Sequence, residues 1–244
     1  MRFYKVIVQT VLAPIVGSSL YLLVFGVSLG RQIKMADISY LGFLVPGLVM
    51  MGVLNNAFQN ASSSIISSKF SGDLEDYKVS PLTYQQIIWA LALGGLFRGL
   101  IVGTVTFCIG QLFYWGMHHQ FLGVAHPFLL ILFLIIGGLS FAMIGLSVAI
   151  RVKSVDQLGA FGNFILVPLI YLGGVFFSIK TLHPFWEHLS HFNPVLYFIN
   201  GVRYGILGTT DVSIPLALGI AVLTIVSVNV FSLYSLRNSS FSRW

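Results

Sequence analysis

From residue 128 to residue 150 the chain carries no charged side chain. Similar runs recur at residues 11–29, 41–64, 94–115, 158–179 and 214–236, interrupted by charge only at Arg98. A helix rises about 1.5 Å per residue, so about 20 apolar residues cross a hydrocarbon core ~30 Å thick. Only 8% of the 244 residues are charged and 57% are hydrophobic, against about 25% charged in a soluble domain. An all-α, polytopic membrane protein is therefore expected, a single domain over 1–244 with six transmembrane helices.

The stretch between the fifth and sixth runs is different. Residues 180–211 are aromatic and contain Pro184, Asn193-Pro194, Asn200-Gly201 and Arg203. No uncharged run there reaches the ~18 residues of a span. Backbone that does not span survives at membrane depth only under protein or water. Residues 181–208 are expected to form a short re-entrant helical pair at the outer leaflet.

The net charge of +6 fits an excess of Lys and Arg on the cytoplasmic side and needs no nucleic-acid partner. With both termini inside, Arg2, Lys5, Lys69, Lys78, Arg98, Arg151, Lys153, Arg237 and Arg243 are cytoplasmic, while Arg31, Lys34, Lys180 and Arg203 are outside. Arg2 and Lys5 before an apolar run resemble a signal peptide, but the run exceeds the usual ~7–15 residues and shows no clear cleavage site. It reads as an interfacial start merging into span one, with a bend at Pro14.

Residues 69–81 concentrate charge as no other segment does, with Lys69, Asp73, Glu75, Asp76 and Lys78 between two apolar runs. Gly72 breaks the preceding helix, Asp73 is placed to cap a new one, and Ser80-Pro81 opens the next. About two turns of polar helix suit docking, or simply a solvated loop. In span two, Asn55, Gln59 and Ser62 fall along one helical face. Such a stripe serves interhelical hydrogen bonds or the lining of a pathway. Arg98, at the cytoplasmic end of span three, is placed to snorkel to the interface. Gly99 and Gly103 beside it signal close helix packing.

Other chemistry is missing from the sequence. The acids Asp37, Asp73, Glu75, Asp76, Asp156, Glu187 and Asp211 all fall in expected loops, so no span carries the acidic relay typical of proton- or ion-driven carriers. No phosphate-binding GxxxxGK[ST] motif occurs. His183, His188 and His191 lack the further ligands that commoner zinc sites need, and His118, His119 and His126 read as loop residues. Cys108 lies in an apolar run and reads as a small packed hydrophobe. No metal site is expected.

Three segments carry a resemblance. The run 171–208, YLGGVFFSIKTLHPFWEHLSHFNPVLYFINGVRYGILG, together with LVPGLVMM at 44–51 and DLEDYKVSPL at 73–82, resembles the type-2 ABC (ATP-binding cassette) exporter permeases. The similarity runs from about residue 11 to the C-terminus. Family members commonly begin with a longer amphipathic cytoplasmic helix, so with only residues 1–10 available the elbow is short or the start lies upstream. The resemblance implies that Gly72, Asp73, Leu74, Glu75, Asp76, Tyr77 and Lys78 form a coupling helix seated on a separate ATPase subunit. Residues 151–157 would make a second cytoplasmic contact, and residues 181–208 would close the outer end. ATP and Mg would be used by the partner, with no cofactor bound by this chain. Spans one and five would face a second copy in a homodimer within the lipids of the bacterial inner membrane.

The function expected is export of a hydrophobic or amphipathic substrate of the drug, lipid-linked glycan or polysaccharide class. Transport would follow a mostly apolar wall from spans one, two and five, with Asn55, Gln59 and Ser62 as its polar stripe. Phe176 and Phe177 would narrow the outer end, or serve as ordinary interfacial aromatics. The alternatives are a stand-alone ion- or proton-coupled carrier or channel, and a membrane enzyme using the outside histidines.

Overall fold

The structure, a computed structural model, describes residue 12 and residues 14–30, 38–72 and 80–238. Eight helices organise these residues. Helix α1 covers Pro14–Ser28 and is π-helical over Leu22–Leu29. Helix α2 covers Tyr40–Ser71, starting at Ser39, whose hydroxyl accepts from the Gly42 amide, and ending at Gly72 with φ 85°. Only glycine takes that left-handed conformation at little cost, so Gly72 stops the helix. Helix α3 covers Tyr84–His118 behind a reciprocal Thr83–Gln86 capping box. Helix α4 covers Pro127–Arg151, α5 Val155–Leu172, α6 Pro184–His191, α7 Pro194–Leu207 and α8 Ile214–Arg237. Proline opens α4, α6 and α7, where its missing N–H costs no helical bond.

Helices α2, α3, α4, α5 and α8 are each long and apolar enough to cross a membrane, and α1 is a shorter apolar helix over its described residues. Two outrun their expected spans. At ~1.5 Å per residue, the 32 residues of α2 and 35 of α3 reach about 48 and 52 Å, against a ~30 Å hydrocarbon core. Hydropathy marks only the apolar part. Beyond it, α2 continues as a serine-rich helix in which Ser62, Ser64, Ser68 and Ser71 donate to carbonyls three or four residues back, at 2.7–3.2 Å. Internal satisfaction of those hydroxyls lets a polar helix persist.

The fifth expected span, 158–179, is shorter than predicted. Helix α5 stops at Leu172, and Gly174 turns with φ 83°. Within α5, residues Gly162–Leu166 are π-helical just ahead of Pro168, a bulge of the kind that absorbs a proline in a helix. The two short helices expected over 181–208 are α6 and α7. The bend at Pro14 and the interfacial start fall at or outside the edge of the described residues, as do Asp73, Leu74, Glu75, Asp76, Tyr77 and Lys78.

Helix α2 is the axis of the bundle. Of its most apolar stretch 78% is buried, against 11% for α5 and 17% for α8. Helix α3 lies against it through glycines. A Cβ on Gly99 would sit 2.8 Å from the Val53 carbonyl oxygen, and one on Gly103 2.6 Å from the Val53 side chain. The paired glycines thus do pack helices closely. One apolar core gathers Leu44, Met50, Leu54, Phe133, Ile170 and Phe198. A second gathers Ala57, Ala61, Ile88, Ala92, Met143 and Leu146 toward the Lys69 end. Ser147 and Ser232 share a buried 2.7 Å hydrogen bond that joins α4 to α8.

Candidate functional site

A cleft of about 290 Å³ lies between α1, α2 and α3. Its wall is mixed. Asn55, Asn56, Gln59 and Arg98 give it a polar side, while Leu48, Met51 and Val102 are apolar. Ser18 of α1 and Thr106 of α3, both on the wall, meet at 3.1 Å and bridge the two helices. Asn56 Nδ2 donates to the Gly52 carbonyl at 3.0 Å.

The stripe read from the sequence divides here. Asn55 and Gln59 line the cleft, but Ser62 is 1% exposed and off its wall. Its hydroxyl donates to the Phe58 carbonyl at 2.7 Å, so it needs no polar partner elsewhere. At that level Phe58 stacks on Phe161 of α5, with ring centroids 5.9 Å apart. Asn56 and Arg98 are cleft residues that the stripe did not include. Asn56 lies about 100° around the helix from Asn55, and the cleft is wide enough to take in both.

Arg98 lies within α3, about 21 Å from its first residue at ~1.5 Å per residue. Its Nη1 donates to Asn60 Oδ1 at 3.3 Å, and its buried Nε has no partner among the described residues. The guanidinium borders the cleft between helices, half-buried rather than enclosed.

At one end of the bundle, Lys69 holds the end of α4. Its Nζ donates to the carbonyls of Ala149, Ile150 and Val152 at 2.7, 2.7 and 3.0 Å. An ammonium here satisfies acceptors that the helix leaves open and complements the negative end of its dipole. Residues 151–157 follow directly. The Lys153 amide donates to Gln157 Oε1 at 2.7 Å, and the Gln157 amide donates to Ser154 Oγ at 3.2 Å. One lysine therefore joins the start of the charged loop to the start of α5.

At the opposite end, Arg203 is 2% exposed. Its Nη2 donates to the Gly174 carbonyl at 2.7 Å, Asp211 lies 3.8 Å away, and the Phe43 ring centre lies 3.7 Å from Cζ. Asn200 Oδ1 accepts from the Asp211 amide at 3.0 Å. This one side chain ties α7 to α2 and to both flanking turns. Sequence reading placed Arg203 outside as one more loop charge; a lone arginine among Asn-Gly and aromatic residues was the only signal.

Phe176 joins an aromatic cluster, its ring centre 5.5, 5.0 and 5.4 Å from those of Tyr21, Phe25 and Tyr171. Its carbonyl accepts from the Tyr40 hydroxyl at 2.7 Å. Phe177 is half-buried. Three of the histidines make local contacts: His183 Nδ1 accepts from the Phe185 amide, His188 contacts the Pro184 carbonyl, and His126 stacks on Tyr204 at 4.5 Å. Among the described residues no three His, Cys, Asp or Glu side chains group as a metal site would.

Comparison with known proteins bears on this architecture. The model of the ABC-2 type transporter family matches residues 1–207. The inner membrane transport permease YadH of Escherichia coli K12 is 39% identical over 227 residues, 93% of this chain and 86% of that protein. Nodulation protein J of Neorhizobium galegae is 24% identical over 244 residues, 97% of this chain and 89% of that protein. The probable multidrug ABC transporter permease YbhR of Escherichia coli K12 is 27% identical over 163 residues, 66% of this chain and 43% of that protein. With its apolar helices, its mixed cleft and this match over most of its length, the chain belongs to the ABC-2 type transporter family as a membrane-embedded permease.

Proposed function

We propose that the chain is one membrane half of an ATP-driven exporter that moves an amphipathic substrate across the bacterial inner membrane. The observation that carries this reading is the mixed wall of the cleft, with Asn55, Gln59 and Arg98 facing the same space as Leu48 and Met51. A uniformly apolar wall suits a hydrocarbon and a uniformly polar one suits a sugar or an ion. This wall suits a molecule with both parts. The names of two relatives, one a transport permease and one a probable multidrug permease, agree with a role in transport.

In this reading the Lys69 end is cytoplasmic. A separate ATPase binds ATP and Mg and docks on residues 69–81 and 151–157. Lys69 makes those two contact segments one mechanical unit, so a stroke delivered to either reaches α2, α4 and α5 together. Helices α6 and α7 dip into the outer leaflet and return, giving six spans with both termini inside. Two copies pair through α1 and α5, and the low burial of α5 leaves a face free for that contact.

The test is reconstitution of the permease with its ATPase in proteoliposomes. Glu75→Lys combined with Asp76→Lys should abolish ATP-dependent flux and permease stimulation of the ATPase while leaving insertion intact. Asn55→Leu combined with Gln59→Leu should lower flux of an amphipathic dye by about tenfold, the scale of lost hydrogen bonds to a bound polar group. Undiminished flux in both variants contradicts the reading. Flux driven by a proton or ion gradient without ATP would establish a stand-alone carrier instead.

A further inference from the structure

We propose that Arg98 receives an anionic head group, a phosphate or carboxylate, carried by the amphipathic cargo. This assignment rests on the exporter reading and deepens it by fixing the charge of the substrate.

The argument starts from neutrality. A guanidinium held among helices keeps its charge, and bundles normally oppose such a charge with a carboxylate or several carbonyls. Arg203 has Asp211 and a carbonyl, and Lys69 has three carbonyls. Arg98 has one 3.3 Å hydrogen bond to a neutral amide, and among the described residues no carboxylate pairs with it. The residues around it on the cleft wall, Asn55, Asn56 and Gln59, are neutral amides, able to donate to an anion but not to cancel the cation. Helix α3 sets the depth. Arg98 lies about 24 Å along the axis from Tyr114, at ~1.5 Å per residue, against a ~30 Å hydrocarbon core. With Tyr114 taken as the level of the opposite interface, this puts Arg98 near the edge of the core, within reach of a head group in the leaflet on the Lys69 side. Leu48, Met51 and Val102 supply the apolar wall that a tail would follow. A planar fork beside neutral donors favours a phosphate or carboxylate over a cationic or uncharged head.

The permease–ATPase complex in nanodiscs of phosphatidylcholine alone gives the test, read as the concentration of amphiphile that half-stimulates ATP hydrolysis. The probes share a tail: dodecyl phosphate, dodecyl maltoside and dodecyltrimethylammonium, each below its micellar concentration. In the unaltered protein dodecyl phosphate should act at about tenfold lower concentration than the maltoside, the scale of a charge-assisted hydrogen bond, and the ammonium should be weakest. Arg98→Gln should erase the phosphate advantage, bringing the half-stimulating concentrations of dodecyl phosphate and the maltoside to within about twofold of each other. Arg98→Lys should keep part of it, since charge remains but the fork is lost, and it serves as the readout if the glutamine variant does not assemble.

Equal responses to phosphate and maltoside in the unaltered protein overturn the inference and leave the exporter reading standing. An undiminished phosphate advantage in Arg98→Gln overturns it too. A phospholipid that co-purifies with the unaltered complex and is lost from Arg98→Gln, with all probe responses unchanged, would assign the site to a resident lipid and overturn the cargo assignment. No stimulation by any probe would count against both readings.

Discussion

Arg98 and Arg203 are both arginines set among packed helices, and they are treated differently. Neither Nε has a partner among the described residues, so that atom does not separate them. Charge does. Arg203 sits between a carbonyl at 2.7 Å, a carboxylate at 3.8 Å and an aromatic face at 3.7 Å, and it joins four segments. Arg98 borders a cleft with one neutral partner. Lys69 sides with Arg203, since three carbonyls surround its ammonium. A buried cation whose field is answered from within holds the fold together; a half-buried one beside a cleft, with no counter-charge among the described residues, is free to take a ligand. The end of the bundle built on Arg203 is a closed joint; in the proposed function the cleft is the part left open for exchange.

The sharpest way to break the comparison is at Asp211. Asp211→Ala leaves Arg203 buried without its counter-charge, and should cost about 3 kcal/mol of stability, read as a lowered melting temperature in detergent. Pairing Asp211→Leu with Arg203→Met should cost less than Asp211→Ala alone, because no uncompensated charge remains. A double variant worse than the single one would mean that the ion pair is not what makes Arg203 a joint.

Lys69→Met is next. It strands three carbonyls at the end of α4 and should cost about 2 kcal/mol. It should also uncouple ATP hydrolysis from transport more than it lowers the amount of inserted protein. Equal losses of both would reduce Lys69 to a stabilising contact. Phe176→Ala should be milder, about 1 kcal/mol from the lost ring pairs. Phe177→Ala should fall below that. The reverse order, measured on the same preparations, would remove the aromatic cluster from the fixed end.

How far the sequence reached follows from what each signal measures. The cleft face of α2 was legible in Asn55 and Gln59 because helical periodicity places both on one side. Ser62 shares that direction, yet periodicity is blind to a hydroxyl that bonds its own backbone. Asn56 and Arg98 entered the cleft because α1 and α3 shape it, and pairings between distant helices are not written in one helix. Helix lengths were misjudged for a related reason. Hydropathy marks the lipid-thick part of α2 and α3, while the Thr83–Gln86 capping box starts α3 ahead of it and α2 runs on to its stop at Gly72. The fifth run stays apolar to residue 179, so hydropathy did not mark the stop at Leu172 that Gly174 makes with φ 83°. The three carbonyls around Lys69 were not readable, since backbone acceptors have no residue signature.

The account turns on the two arginines, and one measurement separates them: melting temperatures of Arg98→Gln and Arg203→Gln, taken side by side on the purified permease. Arg203→Gln should melt about 6–12 °C lower than the unaltered protein, the size expected for loss of a buried charged partner in a chain of this length. Arg98→Gln should stay within about 2 °C, because no internal counter-charge is abandoned. A fall for Arg98→Gln equal to that for Arg203→Gln would contradict the account, placing Arg98 in the framework and leaving the cleft without its cation for a ligand.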